Sequence, residues 1–203
     1  MIDLLYDKDI REPLFDFLES YYGKVRILEE KQIGRSRADI VMVIPSHVVG
    51  IEIKSDADTY ARLKRQVRDY NQYFDYNYVV IGSSHAMHIE EHVPKWWGII
   101  TVEQIEGEAD FYILRKPKEN PEVNEKKKLS ILWRPELAHI QELNCLPAYR
   151  QRSKKFVMEK ILLSVPQDVL REQISQELFE RDYTRIEEMI RKYKKTIDLH
   201  GTS

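Results

Sequence analysis

The residue types best suited to chemistry lie in residues 37–54, RADIVMVIPSHVVGIEIK. Asp39 stands near the start of this segment, and Glu52 and Lys54 stand at its end, separated by one apolar residue. Side chains alternate along a strand, so Glu52 and Lys54 face the same way. An acid and a base side by side in a buried strand are costly unless they are paired or hold a cation. The spacing therefore indicates a site in which these charges are paired with each other or hold a metal ion.

The segment that carries these residues is typical of a β-hairpin. Two runs rich in β-branched residues, Ile40–Ile44 and Val48–Ile53, flank a Pro-Ser-His turn. Asp39 would then enter the first strand, and the Glu52 and Lys54 pair would leave the second. We expect the hairpin to bring these three side chains to one end of a sheet.

A third acid is expected from the strand that precedes the hairpin. Residues 24–33 are predicted to form this strand, and a tight turn at residues 34–36 folds it back on the Asp39 strand. Residues equidistant from the turn face each other, which places Glu30 near Asp39. Like charges at that distance repel unless a cation lies between them. A shift of register by one residue would instead turn Glu30 to solvent.

A helix is predicted from the Ser-Asp-Ala-Asp sequence after Lys54 to about Phe74. Its apolar residues recur at helical spacing and predict one buried stripe. Gln66 borders that stripe, and Tyr70 follows it by one turn on the same edge. Gln66 is thus a candidate site residue, while Tyr70 fits the core as well as the site. Four basic residues make the helix suitable for phosphate contacts, although a solvated face is equally consistent with them: Arg62, Lys64, Arg65 and Arg68.

The order of these residues resembles the PD-(D/E)XK nuclease superfamily. Asp39 is followed thirteen positions later by Glu52-Ile53-Lys54, and Gln66 and Tyr70 follow in turn. Ala38 replaces the proline of the formal motif, a departure that leaves the carboxylate in place. Over roughly the first half of the chain, four motifs also resemble the sce7726 group of uncharacterised bacterial and phage proteins. They are residues 37–40 (RADI), 50–56 (GIEIKSD), 65–70 (RQVRDY) and 93–99 (VPKWWGI).

The resemblance implies a Mg²⁺- or Mn²⁺-dependent nuclease that hydrolyses phosphodiester bonds in DNA. Asp39 and Glu52 would supply carboxylate ligands, and the backbone carbonyl of Ile53 would supply a further oxygen. Lys54 would orient the attacking water or help to deprotonate it, and Gln66 would fix the geometry. The third metal-directed acid would be Glu30, the preferred candidate.

A second candidate for the third acid is Glu12, which lies in a helix predicted over residues 9–22. Many members of the superfamily direct an acid on a helix at the metal, and the resemblance makes Glu12 a candidate for that role. The alternative is a capping box in which Asp9 is the N-cap and Glu12 stands three positions later.

The predicted order of elements is α, β, β, β, α, β, then a short connector and β. This order favours an α/β fold with a mixed sheet flanked by helices, as in restriction-endonuclease-like folds. Residues 1–115 would form the nuclease-like domain, 116–128 a polar linker, and 129–203 a helical C-terminal domain. Helices are predicted there at residues 129–143, 153–163, 166–183 and 184–195. This region would contact DNA through a basic cluster, or it would instead pack against the nuclease core or mediate oligomerisation. The basic cluster consists of Arg150, Arg152, Lys154 and Lys155.

Composition limits the class of protein. The chain has 203 residues, of which 42% are hydrophobic and 33% charged, with a net charge of −2. DNA binding must therefore come from a local basic face. A single cysteine, Cys145, excludes an internal disulfide and a cysteine-rich zinc site. Without an apolar run of eighteen residues or a signal peptide pattern, we expect a cytoplasmic protein with no membrane contact.

Two other functions are compatible with the sequence. One is a nuclease fold that binds nucleic acid without cleaving it, although an intact Asp39, Glu52 and Lys54 set argues against a decayed site. The other is a regulatory subunit of a larger defence, repair or phage DNA-processing complex. The second possibility requires protein partners, and a homo-oligomer is also compatible with the sequence.

Overall fold

The computed structural model describes residues 7–55, 58–82 and 86–182. The helix predicted over residues 184–195 lies outside these ranges. Among the described helices, none combines the length and the apolar character that a bilayer crossing requires.

Six strands form one mixed sheet, in which spatial order follows chain order from β1 to β6. The first three strands are antiparallel, β3, β4 and β5 run parallel, and β6 returns antiparallel to β5. The predicted hairpin is confirmed, since β2 and β3 are joined by a two-residue turn at Pro45 and Ser46. The strands are β1 (Arg26–Ile33), β2 (Ser36–Ile44), β3 (His47–Lys54), β4 (Tyr76–Gly82), β5 (Gly98–Ile105) and β6 (Glu108–Arg115).

Helices cover both faces of the sheet, which confirms the predicted α/β architecture. Helix α1 buries Ile10, Leu14 and Leu18 on one face. Helix α2 and the C-terminal helices cover the other face, where they form a second apolar core. The helices are α1 (Asp7–Tyr22), α2 (Leu63–Tyr73), α3 (Ala86–Ile89), α4 (Glu125–Leu129), α5 (Arg134–Leu143), α6 (Lys154–Ser164) and α7 (Gln167–Phe179).

Two helices begin at residues other than those predicted. Helix α1 begins at Asp7, so Asp9 lies within its first turn and is not the N-cap of a capping box with Glu12. Helix α2 begins at Leu63, after a 3-10 turn at Tyr60–Arg62. Its delayed start has a local cause: the Asp58 carboxylate accepts bonds from the Ser55 N–H (3.0 Å) and hydroxyl (2.8 Å) behind it. Asp58 therefore closes a turn and does not cap the helix ahead of it.

Strand β6 is absent from the sequence prediction. It forms a second hairpin with β5 around Glu106 and Gly107, both of which have positive φ, at 54° and 89°. Ala109, Phe111 and Ile113 occupy every second position, and this alternation could have predicted the strand from the sequence. These apolar side chains pack toward the face that α1 covers.

The predicted linker, residues 116–128, is held against the sheet. Helix α4 begins inside it, and the fully buried Lys128 ammonium lies 2.7 Å from each Asp75 carboxylate oxygen. Asn120 donates bonds to the carbonyls of Asn71 (2.8 Å) and Phe74 (2.7 Å) at the end of α2. The helical region and the sheet consequently share one apolar core.

Candidate active site

The site forms where strands β2 and β3 separate. Their pairing stops at Ile40 and Ile51, one residue short of Asp39 and Glu52. Beyond that point the Ile53 N–H donates to the Asp39 carboxylate at 2.9 Å instead of to a backbone carbonyl. The two strands therefore diverge at the position that the sequence prediction assigned to the carboxylates.

The buried hydroxyl of Tyr70 lies between the separating strands. It accepts a bond from the Asp39 N–H (3.1 Å) and donates one to the Ile51 carbonyl (3.2 Å). Its ring packs beside Phe74 over Gly50, where an added Cβ would overlap both rings. Tyr70 thus belongs to the core and to the site together, because the bonds of its hydroxyl satisfy backbone groups that the β2–β3 ladder leaves free.

Glu52, Lys54 and Gln66 form a closed hydrogen-bonded triangle. The Lys54 ammonium lies 2.6 Å from Glu52 Oε1 and 3.1 Å from Gln66 Oε1. The Gln66 amide nitrogen also donates to Glu52 Oε1. Glu52 and Lys54 are almost fully buried, so the ion pair is not screened by solvent. Helix α2 brings Gln66 over β3, as its position beside the buried stripe predicted.

The second oxygen of Glu52 is left without a partner. Among the described residues, no group donates a hydrogen bond to Glu52 Oε2, although this atom is buried. A buried carboxylate oxygen normally accepts at least one bond, since leaving it unpaired costs free energy. Glu52 therefore offers one carboxylate oxygen that is available to bind a cation.

Burial makes both carboxyl groups hard to ionise. It raises the pKa of Asp39 to about 7, and the nearby Glu52 carboxylate adds to that shift. Burial likewise raises the pKa of Glu52, and the adjacent Lys54 ammonium opposes the increase. Two acids that disfavour each other's charge in this way are stabilised in their ionised forms by a bound cation.

Asp39→Asn should stabilise the metal-free protein above neutral pH. The pKa of Asp39, about 7 when folded, exceeds the ordinary value of 3.8 that applies to the unfolded chain. The folded chain binds more protons between those values, so its stability falls as pH rises from about 4 to about 7. Asparagine avoids that loss, which is on the order of 4 kcal/mol at about pH 8. Urea unfolding in EDTA at several pH values measures the free energy of unfolding of both proteins. If this free energy depends on pH in the same way for wild type and Asp39→Asn, the pKa of Asp39 is not raised in the folded protein.

Arg11 of α1 is a site residue that the sequence reasoning missed. Its guanidinium lies 3.8 Å from Asp39 Oδ1 and donates to the Asp39 carbonyl at 3.4 Å. It also bonds to Asp7 (2.7 Å), Glu29 (3.3 Å) and Glu30 (3.1 Å). The only local signal is the Asp7 and Arg11 pair at i, i+4 spacing, which occurs on many solvated helices.

Glu30 lies opposite Asp39 in register, between the pairs Glu29–Ile40 and Lys31–Ala38. Its carboxylate is bound by two cations, Arg11 at 3.1 Å and Arg37 at 2.6 Å. A φ of 56°, uncommon for a residue with a side chain, accompanies this arrangement. A guanidinium therefore occupies the position between Glu30 and Asp39 where the sequence reasoning expected a cation.

Glu12 lies apart from the group around Asp39. It lines a cavity of about 690 Å³ between α1 and β6, on a wall that also includes Asp16 and Asp110. Arg11, its neighbour in the chain, is the residue of α1 that contacts Asp39. The structure thus brings together Asp39, Glu52, Lys54 and Gln66, links Glu30 to them through Arg11, and leaves Glu12 elsewhere.

The donor set fits a Mg²⁺ or Mn²⁺ ion. Within the described ranges, no three His, Cys, Asp or Glu side chains converge closely enough to bind a metal by themselves. Mg²⁺ does not need such a cage, since it commonly uses one or two carboxylates and keeps several waters. Asp39 and the free oxygen of Glu52 would supply two carboxylate ligands. Ile53 contributes its N–H to Asp39, and the role of its carbonyl stays a prediction.

The two predicted basic surfaces differ in exposure. Arg62, Lys64, Arg65 and Arg68 are all exposed on and beside the first turns of α2, the helix that carries Gln66. In the C-terminal cluster, the half-buried Lys154 donates to the Ser130 carbonyl at 2.7 Å. The Arg152 guanidinium lies 5.3 Å from the centre of the Phe156 ring. The α2 surface is therefore the better placed of the two for phosphate contacts near the site.

Comparisons with known proteins give a family for the chain. The model of a family described as bacteriophage P4 protein cII matches residues 2–200. No curated protein is significantly similar to the chain. Among solved structures, a protein of unknown function from Silicibacter pomeroyi is similar, with 20% identity and a TM-score of 0.48 over 64% of this chain and 83% of that one. Because the family match covers nearly all 203 residues, the chain belongs to the bacteriophage P4 protein cII family.

Proposed function

We propose that this protein is a Mg²⁺- or Mn²⁺-dependent nuclease of the PD-(D/E)XK type that hydrolyses phosphodiester bonds in DNA. The observation that carries the proposal is the convergence of Asp39, Glu52, Lys54 and Gln66 at the separation of β2 and β3. An unpaired oxygen on a buried Glu52 supports it, because a structural ion pair has no use for such an atom.

Each residue has a role that follows from its contacts. Asp39 and Glu52 would hold the metal ion, which when bound would polarise the scissile phosphate and lower the pKa of a coordinated water. Lys54 would direct its ammonium at the attacking water and at the charge that develops on the phosphate. Gln66 holds Lys54 Nζ and Glu52 Oε1 in their relative positions. Tyr70 keeps the strands apart through its hydroxyl.

The exposed basic surface of α2 supports DNA as the substrate. The chain as a whole has a net charge of −2 and does not attract DNA. Lys64, Arg65 and Arg68 nonetheless lie on the helix that contributes Gln66, and Arg62 directly precedes it. Contacts from such side chains to phosphates position a strand without reading its sequence. We place this activity in the cytoplasm, where phage and bacterial DNA is processed.

The proposal is tested by incubating supercoiled plasmid and labelled oligonucleotides with the purified protein in Mg²⁺, Mn²⁺ or EDTA. We expect nicking or strand cleavage only with a metal, and none with Glu52→Gln, which keeps the shape of the side chain and removes its charge. Cleavage that persists in EDTA or in Glu52→Gln would refute the proposed site. DNA binding without cleavage under every condition would identify a non-cleaving module.

Metal binding is expected to depend on both carboxylates. Wild type should bind one or two Mn²⁺ ions per chain, and Asp39→Asn and Glu52→Gln should each weaken binding by tenfold or more, because each removes one charged oxygen ligand. These amide variants are preferable to alanine, since Glu52→Gln keeps the side-chain volume and an oxygen that can accept a bond from the buried Lys54 ammonium, both of which Glu52→Ala removes. Calorimetry measures the affinities, and Glu12→Gln is the matched control. Unchanged affinity in both site variants would contradict the assignment.

A further inference from the structure

A second concave site lies near the opposite end of β3 from Glu52. It is a cavity of about 300 Å³ between the end of α1, the first residues of β3 and β4, and the segment that follows β6. We call it the aromatic pocket. Its lining is Tyr21, Tyr22, Ile44, His47, Val49, Tyr76, Tyr78, Lys116 and Pro117. Five of these nine side chains carry an aromatic ring.

The rings of the aromatic pocket are fixed by contacts among themselves. The hydroxyls of Tyr22 and Tyr78 lie 2.6 Å apart and share a hydrogen bond. The rings of His47 and Tyr76 meet edge to face, with their centres 5.2 Å apart. Tyr78 is fully buried. Such walls are ordered before any ligand binds, which lowers the entropic cost of binding.

The charge of the aromatic pocket favours an anionic ligand. No Asp or Glu belongs to its lining, whereas Lys116 and His47 do. The Lys116 ammonium lies 5.8 Å from the centre of the Tyr21 ring. In the described part of the chain, no carboxylate lies within ion-pair distance of Lys116. Tyr21 is itself 45% exposed, although its ring stacks on Phe17, so part of an aromatic ring and the Lys116 ammonium can both be reached at the rim.

We propose that the aromatic pocket binds a base of single-stranded DNA, with Lys116 on the adjoining phosphate. Proteins that bind single strands combine stacking rings with cations that follow the backbone. The hydroxyl of the half-buried Tyr22, which the buried Tyr78 hydroxyl holds in place, adds a hydrogen-bonding group for the edge of the base. Bases inside a duplex are stacked on each other and cannot enter such a cavity. A purely apolar partner would leave Lys116 and the hydroxyls unused.

This inference rests on the proposed function and adds the form of the substrate. From Val49 to Lys54 the axis of β3 covers roughly 17 Å at about 3.3 Å per residue. The aromatic pocket opens on the side of the sheet that α1 covers, with Val49 and Tyr78, whereas alternation along β3 places Glu52 and Lys54 on the side that α2 covers. A strand held by one base in the pocket must therefore also pass round the end of the sheet, and several nucleotides span that path to the separation of β2 and β3. Single-stranded DNA, or a single-stranded end beside a duplex, is then the substrate of the nuclease.

The test measures binding of the full chain to a fluorescein-labelled twelve-nucleotide oligo(dT) by anisotropy, in EDTA so that no cleavage occurs. Tyr21→Ala and Lys116→Ala should each weaken binding, the former by about tenfold, the scale of losing one base stack. Both side chains are exposed, so the fold is expected to survive. Tyr21→Phe keeps the ring and should bind like wild type. Lys118→Ala, an exposed lysine outside the lining, is the charge-matched control.

The binding test can contradict the aromatic-pocket proposal and the nuclease proposal separately. Equal affinity of wild type, Tyr21→Ala and Lys116→Ala for oligo(dT) overturns the inference, whether or not the protein cleaves DNA with metal. Tighter binding of a duplex than of the single strand also overturns it. If the variants lose binding while wild type cleaves no DNA, the aromatic pocket stands and the nuclease proposal fails. Competition by thymidine monophosphate at millimolar concentration supports base recognition in the pocket.

Discussion

Lys54→Met should lower the rate of DNA cleavage by at least about a hundredfold, the usual scale for losing a positioned catalytic group. Methionine keeps the length of the buried side chain and removes its ammonium. Gln66 still donates to Glu52 in this variant, so the carboxylate does not lose every partner. The expected result is normal DNA binding and a strongly reduced single-turnover rate at saturating Mn²⁺.

Two control variants show whether the effect of Lys54→Met is specific to the position and to the shape of the cation. Lys64→Ala removes an exposed lysine from α2 and should change the cleavage rate by less than about twofold. Lys54→Arg keeps the charge but should restore little activity, because a planar guanidinium does not fit where Nζ meets Glu52 and Gln66. If wild type and Lys54→Met nick plasmid at equal rates, the activity does not come from this site.

Lys128→Met is expected to cost about 3–5 kcal/mol of stability, the range for leaving one partner of a buried ion pair alone. Lys128 and Asp75 are both almost completely buried, and Asp75 also accepts the Val48 N–H at 2.8 Å. Without the lysine, the Val48 N–H is the one hydrogen bond that the described residues give to the Asp75 carboxylate, and a single bond does not offset the desolvation of its charge. Urea unfolding near neutral pH, monitored by tryptophan fluorescence, measures the loss.

Two further variants make the Lys128 measurement specific. Lys126→Ala breaks an ion pair with Glu159 whose side chains are each 45% exposed, and it should lower stability far less than Lys128→Met does, because solvent screens an exposed pair. Combining Lys128→Met with Asp75→Asn removes the isolated charge and should recover part of the loss. A Lys128→Met protein as stable as Lys126→Ala would show that the buried pair contributes nothing.

The parts of the site that could be predicted are those fixed by local periodicity. Alternation in β3 places Glu52 and Lys54 on one face, and helical spacing places Gln66 beside the stripe that packs on that face. The β-branched runs and the turn define the hairpin, so Asp39 comes to the same end of the sheet. These relations depend on a few neighbouring residues, which a sequence pattern records directly.

The contacts that could not be predicted join distant parts of the chain. Arg11 meets Asp39 across 28 positions, and nothing in the pattern of α1 distinguishes it from a solvated arginine. Its presence explains why Glu30, although opposite Asp39 in register, is bound by guanidinium groups. Similarly, the spacing of Tyr70 indicates burial but not where its hydroxyl lies. Such contacts are determined by tertiary packing, and the local periodicity of the sequence contains no information about them.

The shared apolar core has a consequence for the order of events during translation. Leu28 of β1 and Leu178 of α7 belong to the same core, which lies on the sheet face of Tyr70 and Val48. A ribosome therefore releases all six strands before it completes the helices that cover them. We expect this face to need shielding, by a chaperone or by the ribosome surface, for most of synthesis. A nascent chain would consequently gain a stably covered sheet, and with it a stable arrangement of the proposed site, only as its last described helix emerges.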